Sequence, residues 1–534
     1  MLNFRTIHKQ AEEHITLAIG GLFLFLALLI LFQTFFSPTI VIAFLILLAI
    51  VAVTIIRPLW ILGFLSIYFP FESVILKFIP NDAYAIIRYA SEGMIYVIAG
   101  VILLRVLVRA IKLPATPIDL PFVLFLVTLL GSILINFVPL GIAVLGARQI
   151  LRFMIVFFLV VYLKPSKQYI KNLTMILFAI VLFECGLGIA QSIIGERLDL
   201  FLLPSDSRSL GEITLTAGVD EFWDPGSRIF ATLGRYDRLG NFISFFLLIG
   251  TGFLFCFRRI EIERSGGSRA SPTNVIDNER KKMRWWLFAL FAIGIPSLLL
   301  TYSRSSWFAF LLGFLFIGLW IKRDRRVAIA LASFIIVVIG YLAITGISVR
   351  YITEIPGQTI TERFLESFSY ARWRGEYYGL GRLYWDVQTP LRVIPSSPIF
   401  GVGPGQFGGG AAAALHNTKV YDALGLPFGV FGTQGAIDNN WFAIWGEAGT
   451  LGLIFYMWMF IVLFKHSVQT FRSSNDPFTR ALAIGFAACV LGVSFNAITS
   501  TLFEIRTAAF YFWLYAGFVV ALGEKKKYEN HSSE

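Results

Sequence analysis

The sequence predicts an all-α, polytopic membrane protein with about 12–14 spanning helices. Three observations carry that expectation. Hydrophobic residues make up 57% of the 534 positions against 15% charged, and the mean hydropathy is +0.74, outside the range of soluble globular chains. Apolar runs of about 17–25 residues recur along the chain, each long enough to cross a bilayer. Lys and Arg gather at every second connection, as the preference for positive charge on the cytoplasmic side requires. The net charge of +12 therefore reports topology, with membrane lipid as the partner and no nucleic acid. Cys185, Cys256 and Cys489 sit in or near apolar runs without metal-like spacing, which implies neither a disulfide framework nor a zinc site.

A short amphipathic lead-in (Arg5, His8, Lys9, Glu12, Glu13, His14) precedes the first apolar run. So many apolar runs follow it that it reads as a retained helix. Spans are expected at about 17–36, 39–56, 58–76, 90–110, 119–137, 146–163 and 169–194. Arg57, then Arg105, Arg109 and Lys112, then Lys164, Lys167 and Lys171 mark alternate ends, whereas Ser37, Asn81 and Asn136 mark the others. Both termini are then cytoplasmic. Further spans are expected at about 240–257 and 285–302, then one that follows Trp307 and ends at Lys322-Arg-Asp-Arg-Arg326, then at about 327–346, 441–464, 478–497 and 506–523. The chain divides into N-terminal helices (1–194), an external loop (195–240), helices over 241–346 with a cytoplasmic loop at 258–284, a long external loop (347–440), and C-terminal helices with a cytoplasmic tail (441–534). The loop at 258–284 is rich in charge, Ser and Gly, a disorder-like composition. The 347–440 loop is instead rich in Trp, Tyr, Phe and Leu, which suits a folded and functional element.

Alternation places 195–240, 301–306, 347–440 and 498–506 on one external face, and with them most residues capable of chemistry. Arg304 lies between two apolar runs beside Ser303, Ser305 and Ser306. It reads either as a helix-end anchor or as a phosphate ligand, since guanidinium donors match phosphate geometry. Arg228, Arg235 and Arg238 lie among glycines directly before a helix; they form either a solvated basic loop or an anion site at a helix N-terminus. Arg382 belongs to the aromatic part of the long loop. Asp438, followed by Asn439 and Asn440, is either an N-cap or a carboxylate able to accept a proton from an acceptor hydroxyl. His416 is the rival base, or an exposed loop histidine. Gly401-Val-Gly-Pro-Gly405 and Gly408-Gly-Gly410 look superficially like a phosphate-binding loop but lack its strand–helix frame and Lys-Ser/Thr. No acidic metal pair stands out in the external segments, so the chemistry is expected to need neither metal nor cofactor. Glu92, Arg152 and Glu184 are the intramembrane charges that a transporter or flippase would want, although no internal repeat accompanies them. A scaffold of an envelope complex is a further alternative.

Three pieces in order carry a resemblance. They are Arg228-Ile-Phe-Ala-Thr-Leu-Gly234, Leu300-Thr-Tyr-Ser-Arg304-Ser-Ser-Trp307, and Pro398-Ile-Phe-Gly-Val-Gly-Pro-Gly-Gln-Phe407 with Asn439-x-Trp-Phe442 and Glu447-Ala-Gly-Thr-Leu-Gly452. Together, over roughly 140–520, they resemble the O-antigen ligase and polymerase superfamily of bacterial membrane glycosyltransferases. The resemblance implies a GT-C-like fold in the cytoplasmic (inner) membrane, with the active site facing the periplasm or cell exterior. It also implies transfer of a glycan from an undecaprenyl-pyrophosphate donor to a glycan, lipid or protein acceptor. Arg228 and Arg304, with Arg235, Arg238 and Arg382 in support, would hold the pyrophosphate or orient the glycan. Ligases of the family carry His-Asn about nine residues before Glu-x-Gly; here Asp438-Asn439 stands there, which makes Asp438 the expected base. His416-Asn417 repeats the dipeptide at another spacing. That departure favours a polysaccharide polymerase, with a chain-length regulator as a further partner, over an O-antigen ligase or a protein O-oligosaccharyltransferase. Aromatic residues of 351–385 would offer stacking faces to sugars.

Overall fold

The protein is represented by a computed structural model that describes residues 38–109, 111, 113–204, 208–210, 213–216, 228–265, 274–353, 358–429 and 435–531. The lead-in and the expected span at 17–36 lie outside the described residues. Ten helices among those described are long and apolar enough to cross a membrane, and a bent pair makes an eleventh. The chain is an all-α polytopic membrane protein. A short antiparallel ribbon, β1 (Arg208–Leu210) with β2 (Ile213–Thr216), is the exception.

In order, the helices are α1 (Pro38–Ile56), α2 (Pro58–Lys77), α3 (Asn81–Leu107), α4 (Asp119–Ile135), α5 (Leu140–Leu151), α6 (Met154–Leu163), α7 (Lys167–Ile194), α8 (Glu196–Leu202), α9 (Tyr236–Ser265), α10 (Asn274–Leu300), α11 (Arg304–Leu315) and α12 (Arg325–Val349). The loop between α12 and the last spans holds short helices α13 (Ile360–Leu365), α14 (Tyr370–Tyr378), α15 (Arg382–Gln388), α16 (Ile394–Ser396), α17 (Gly410–Ala414) and α18 (Lys419–Leu424). Helices α19 (Asn440–Ser473), α20 (Pro477–Asn496) and α21 (Arg506–His531) follow. The centre is built from α9, α20 and α21, whose spans are mostly buried, whereas the span of α12 buries none of its residues and faces outward along its length. In α21 the run Phe510 to Ala516 is buried all round, as expected of a helix surrounded by others.

Helices α9 and α10 extend further into the 258–284 segment than expected, to Ser265 and from Asn274, and α21 runs on to His531; three other differences bear on the site. Helix α3 begins at Asn81 rather than near 90, because its polar first turns have partners inside the protein: Arg88 lines a cavity and Glu92 is buried against arginines. The apolar run at 146–163 is two helices, α5 and α6, meeting at 54°. Finally, α19 runs on to Ser473 and is broken at Gly449, whose φ of 71° is left-handed. A side chain there would bring its Cβ within 2.3 Å of the Ile399 carbonyl, so glycine is required. The break frees the Gly446 and Glu447 carbonyls, which accept from Val402 N (2.8 Å) and Gly403 N (3.0 Å). The Pro398–Gly405 stretch and the Glu447-Ala-Gly449 stretch are thus one interlocked structure.

Candidate active site

A cavity of about 420 Å³ opens where the ends of α2, α3, α5, α9, α17 and α21 meet. Six arginines line it (Arg88, Arg148, Arg152, Arg235, Arg238 and Arg506), against four carboxylates (Glu72, Asp237, Asp438 and Glu504). Such a surplus of cations in a concave site favours an anion. Every helix end that contributes belongs to a segment that charge alternation predicts to be external.

The arginines are held by buried carboxylates. Glu92, with 3% of its side chain exposed, pairs with Arg152 (3.1 Å), with Arg506 (3.1 Å) and with Arg148. Arg506 also donates to Glu72 (2.7 Å) and to the Arg88 carbonyl (2.6 Å). Arg152 donates to the Glu504 carbonyl at 2.5 Å. Three cations on two carboxylates fix the guanidinium planes without neutralising them, and fixed donors need no reorganisation when an anion arrives.

Asp438 stands on the wall of this cavity. It adopts a left-handed backbone, φ 48°, a conformation that costs a non-glycine residue about 1–2 kcal/mol. The helix cap of α19 is Asn439, whose side chain accepts from Phe442 N at 3.1 Å. Asp438 therefore does not serve as the cap. Its Oδ2 lies 3.6 Å from Arg382 Nε. Burial works against the charge of Arg382, but Asp438 and Glu376 outweigh it and hold the guanidinium above its ordinary pKa. One turn on, Asp386 accepts from Asn439 Nδ2 at 2.8 Å. Burial raises the Asp386 carboxyl, opposed by that hydrogen bond and by Arg382. Helix α15 thus grips the 438–439 turn at two points.

Of the remaining sequence candidates, two line the cavity and the others lie elsewhere. Arg235 and Arg238 line the cavity, and Arg235 pairs with Asp237 at 2.8 Å. Arg228 and Arg304 are not among its lining residues. Arg228 stacks over Tyr236, 4.4 Å from the ring centre. Its segment is pinned from α7, where Gln191 accepts from the amides of Phe230 and Ala231 (3.0 and 2.9 Å) and Glu184 accepts from the Thr232 amide (3.1 Å). Arg304 pairs with Glu366 at 3.2 Å. Glu366 is fully buried and also takes Arg363 (2.8 Å) and Arg372 (3.3 Å). His416 is exposed, while its neighbour Asn417 donates to the Gly405 carbonyl at 3.0 Å.

The glycine-rich stretch is no phosphate cradle, because its amides already have partners within the protein, two of them carboxylates. Gly405 N donates to Glu447 (2.8 Å) and Gly410 N to Glu504 (2.7 Å). Burial lifts the Glu504 carboxyl above its ordinary range, against donation from Gln149 and Gly410. Gly146 of α5 packs directly on this loop, where a Cβ would lie 2.2 Å from Gly405 N. Among the described residues no three His, Cys, Asp or Glu side chains converge as a metal site requires.

Sequence reading missed Arg88, Arg148 and Glu72, and weighed Glu92 and Arg152 only as transporter charges. Ionisable residues within apolar runs were the available signal. The partners they take could not be read, since helix neighbours are set by packing.

Residues 288–457, from α10 through the break in α19, match the family model described as O-antigen ligase. The match is consistent with the O-antigen ligase/polymerase superfamily and implies a glycosyltransferase-like membrane enzyme acting on a lipid-linked glycan and an acceptor. No curated protein matches the chain.

Proposed function

We propose that this chain, whose residues 288–457 match the O-antigen ligase family model, is a polysaccharide polymerase working on the outer face of the cytoplasmic membrane. One observation carries the reading: Asp438 shares a cavity with six arginines. The donor is an undecaprenyl-pyrophosphate glycan, and its pyrophosphate sits among Arg88, Arg148, Arg152, Arg235, Arg238 and Arg506. The acceptor hydroxyl attacks the anomeric carbon from the face opposite the pyrophosphate. Its proton passes to Asp438, the new glycosidic bond forms, and the old carbon–oxygen bond breaks with both electrons leaving on undecaprenyl pyrophosphate. Attack from the opposite face inverts the anomeric centre. Charge builds on the departing phosphate, where fixed guanidiniums stabilise it, so no metal is needed for that step. Arg382 orients Asp438, while Arg228 and Arg304 hold the 228–238 and 347–440 loops in place.

A second reading, ligation of a finished glycan to a lipid or protein acceptor, is favoured by the description of the matching family. The acceptor decides between them. Purified protein is reconstituted in EDTA with undecaprenyl-pyrophosphate glycan, and products are resolved by size. A ladder of lengthening glycan supports the polymerase. One transfer to an added lipid or protein establishes the ligase type. Tight donor binding without any product overturns both in favour of a transporter or scaffold.

A further inference from the structure

We propose that the outward face of α14 is a binding track for an anionic glycan, leading to the cavity wall. Helix α14 buries none of its nine residues. Tyr370, Trp373, Arg374, Tyr377 and Tyr378 fall at the i, i+3, i+4, i+7 and i+8 positions of one helical face. Tyr370, Trp373 and Tyr378 are 54, 48 and 73% exposed, a row of large rings that folding leaves uncovered. Tyr377 meets Tyr384 of α15 at 5.7 Å between ring centres, which carries the row onward. Tyr378 stands four residues before Arg382, the arginine beside Asp438.

The charges on this face decide its ligand. Arg350 lies over the Tyr370 ring (5.1 Å) and Arg374 over Tyr378 (5.6 Å). Among the described residues neither forms an ion pair. The ion pairs of α14 lie off the row, where Arg372 takes Glu366 and Glu376. Ring faces suit the C–H faces of a pyranose, and a guanidinium takes a carboxylate or phosphate substituent by a two-pronged hydrogen bond. Rings and cations interleaved on one face therefore fit a sugar chain bearing acidic groups. A helix that inserts into lipid separates its apolar residues from its cations; here both share the face, with no aliphatic side chain in the row. The link from track to transfer rests on the glycosyltransferase reading, whereas the binding itself does not.

The test uses the full-length protein in nanodiscs, with oligogalacturonate as the anionic probe and its methyl ester as the neutral one. Wild type should bind oligogalacturonate about tenfold or more tighter than the ester, the scale of one charge-assisted hydrogen bond. The Arg374→Ala variant should lose about as much, with an unchanged melting temperature because its side chain is exposed and, among the described residues, contacts only the Tyr378 ring. Equal binding of the two probes, or by the two proteins, overturns the proposal. A nitroxide on Tyr378→Cys (the three native cysteines are buried) reports the lipid alternative. Access to a water-soluble nickel quencher supports the track, while oxygen access typical of the bilayer overturns it. Donor transfer by the same wild-type preparation is scored separately, so failure of the enzyme reading leaves the binding result intact.

Discussion

The Nε of Arg382 lies 3.6 Å from Oδ2 of Asp438, and the Asp438 backbone is left-handed at φ 48°. Strained residues persist where their surroundings over-determine them. Here the surroundings are α15 on one side and, on the other, Asn440, whose amide donates to the Ala497 carbonyl at 2.8 Å. The arrangement turns the carboxylate towards the arginine cavity while Asn439 takes over the cap.

The cavity arginines should differ from Arg304 in what they do. Arg238→Ala is expected to weaken donor binding about 10- to 150-fold, the loss of one charged hydrogen bond. Arg304→Ala should lower the melting temperature, since it removes a cation from buried Glu366, while leaving donor affinity within about twofold. Binding of a fluorescent undecaprenyl-pyrophosphate glycan, measured beside thermal unfolding, separates the two effects.

Glu92 pairs with three arginines at once. Glu92→Gln leaves Arg148, Arg152 and Arg506 short of a carboxylate in a buried setting, and breaking such a pair from one side costs about 3–5 kcal/mol. Thermal or denaturant unfolding of the purified variant should show that loss. A melting temperature within a degree of wild type would remove Glu92 from the account.

Gly449→Ala should prevent stable folding, since φ is 71° and the Cβ would meet the Ile399 carbonyl at 2.3 Å. Gly100→Ala, where a Cβ meets nothing within 4 Å, should express and melt like wild type. Size-exclusion profiles in detergent compare the pair.

Asp386 gives a pH dependence with a definite sign. Its carboxyl is raised in the fold, so the native state binds its proton more tightly than the unfolded chain. Its contribution to stability is present below the ordinary aspartate pKa and is lost as pH rises through the raised one. Asp386→Asn removes that loss. The melting temperature of the variant relative to wild type should therefore climb across this window, and a flat difference would contradict the assignment.

Much of the fold was legible because the bilayer leaves few choices. Runs long enough to span, and Lys and Arg at alternate ends, locate most spans within a few residues. The shared face of Arg235, Arg238 and Asp438 followed from counting loops. The nucleus of the site was less legible. Glu92 and Arg506 are 414 positions apart yet 3.1 Å in space, and nothing local to either run encodes that pairing. Arg304 looked like an anion ligand because its partner, Glu366, lies in a loop whose folding the sequence does not dictate. The alternatives for Asp438 turned on which of two adjacent residues caps α19, a one-residue question that helix signals do not resolve.

The most direct test is the single-turnover transfer rate of Asp438→Asn, with donor affinity measured on the same preparation. The account predicts donor binding within about twofold of wild type and transfer slower by about 10²–10⁴, the usual contribution of a general base. Transfer at the wild-type rate would contradict it, and the proton acceptor would have to be sought elsewhere on the cavity wall, with Glu504 the first carboxyl to try.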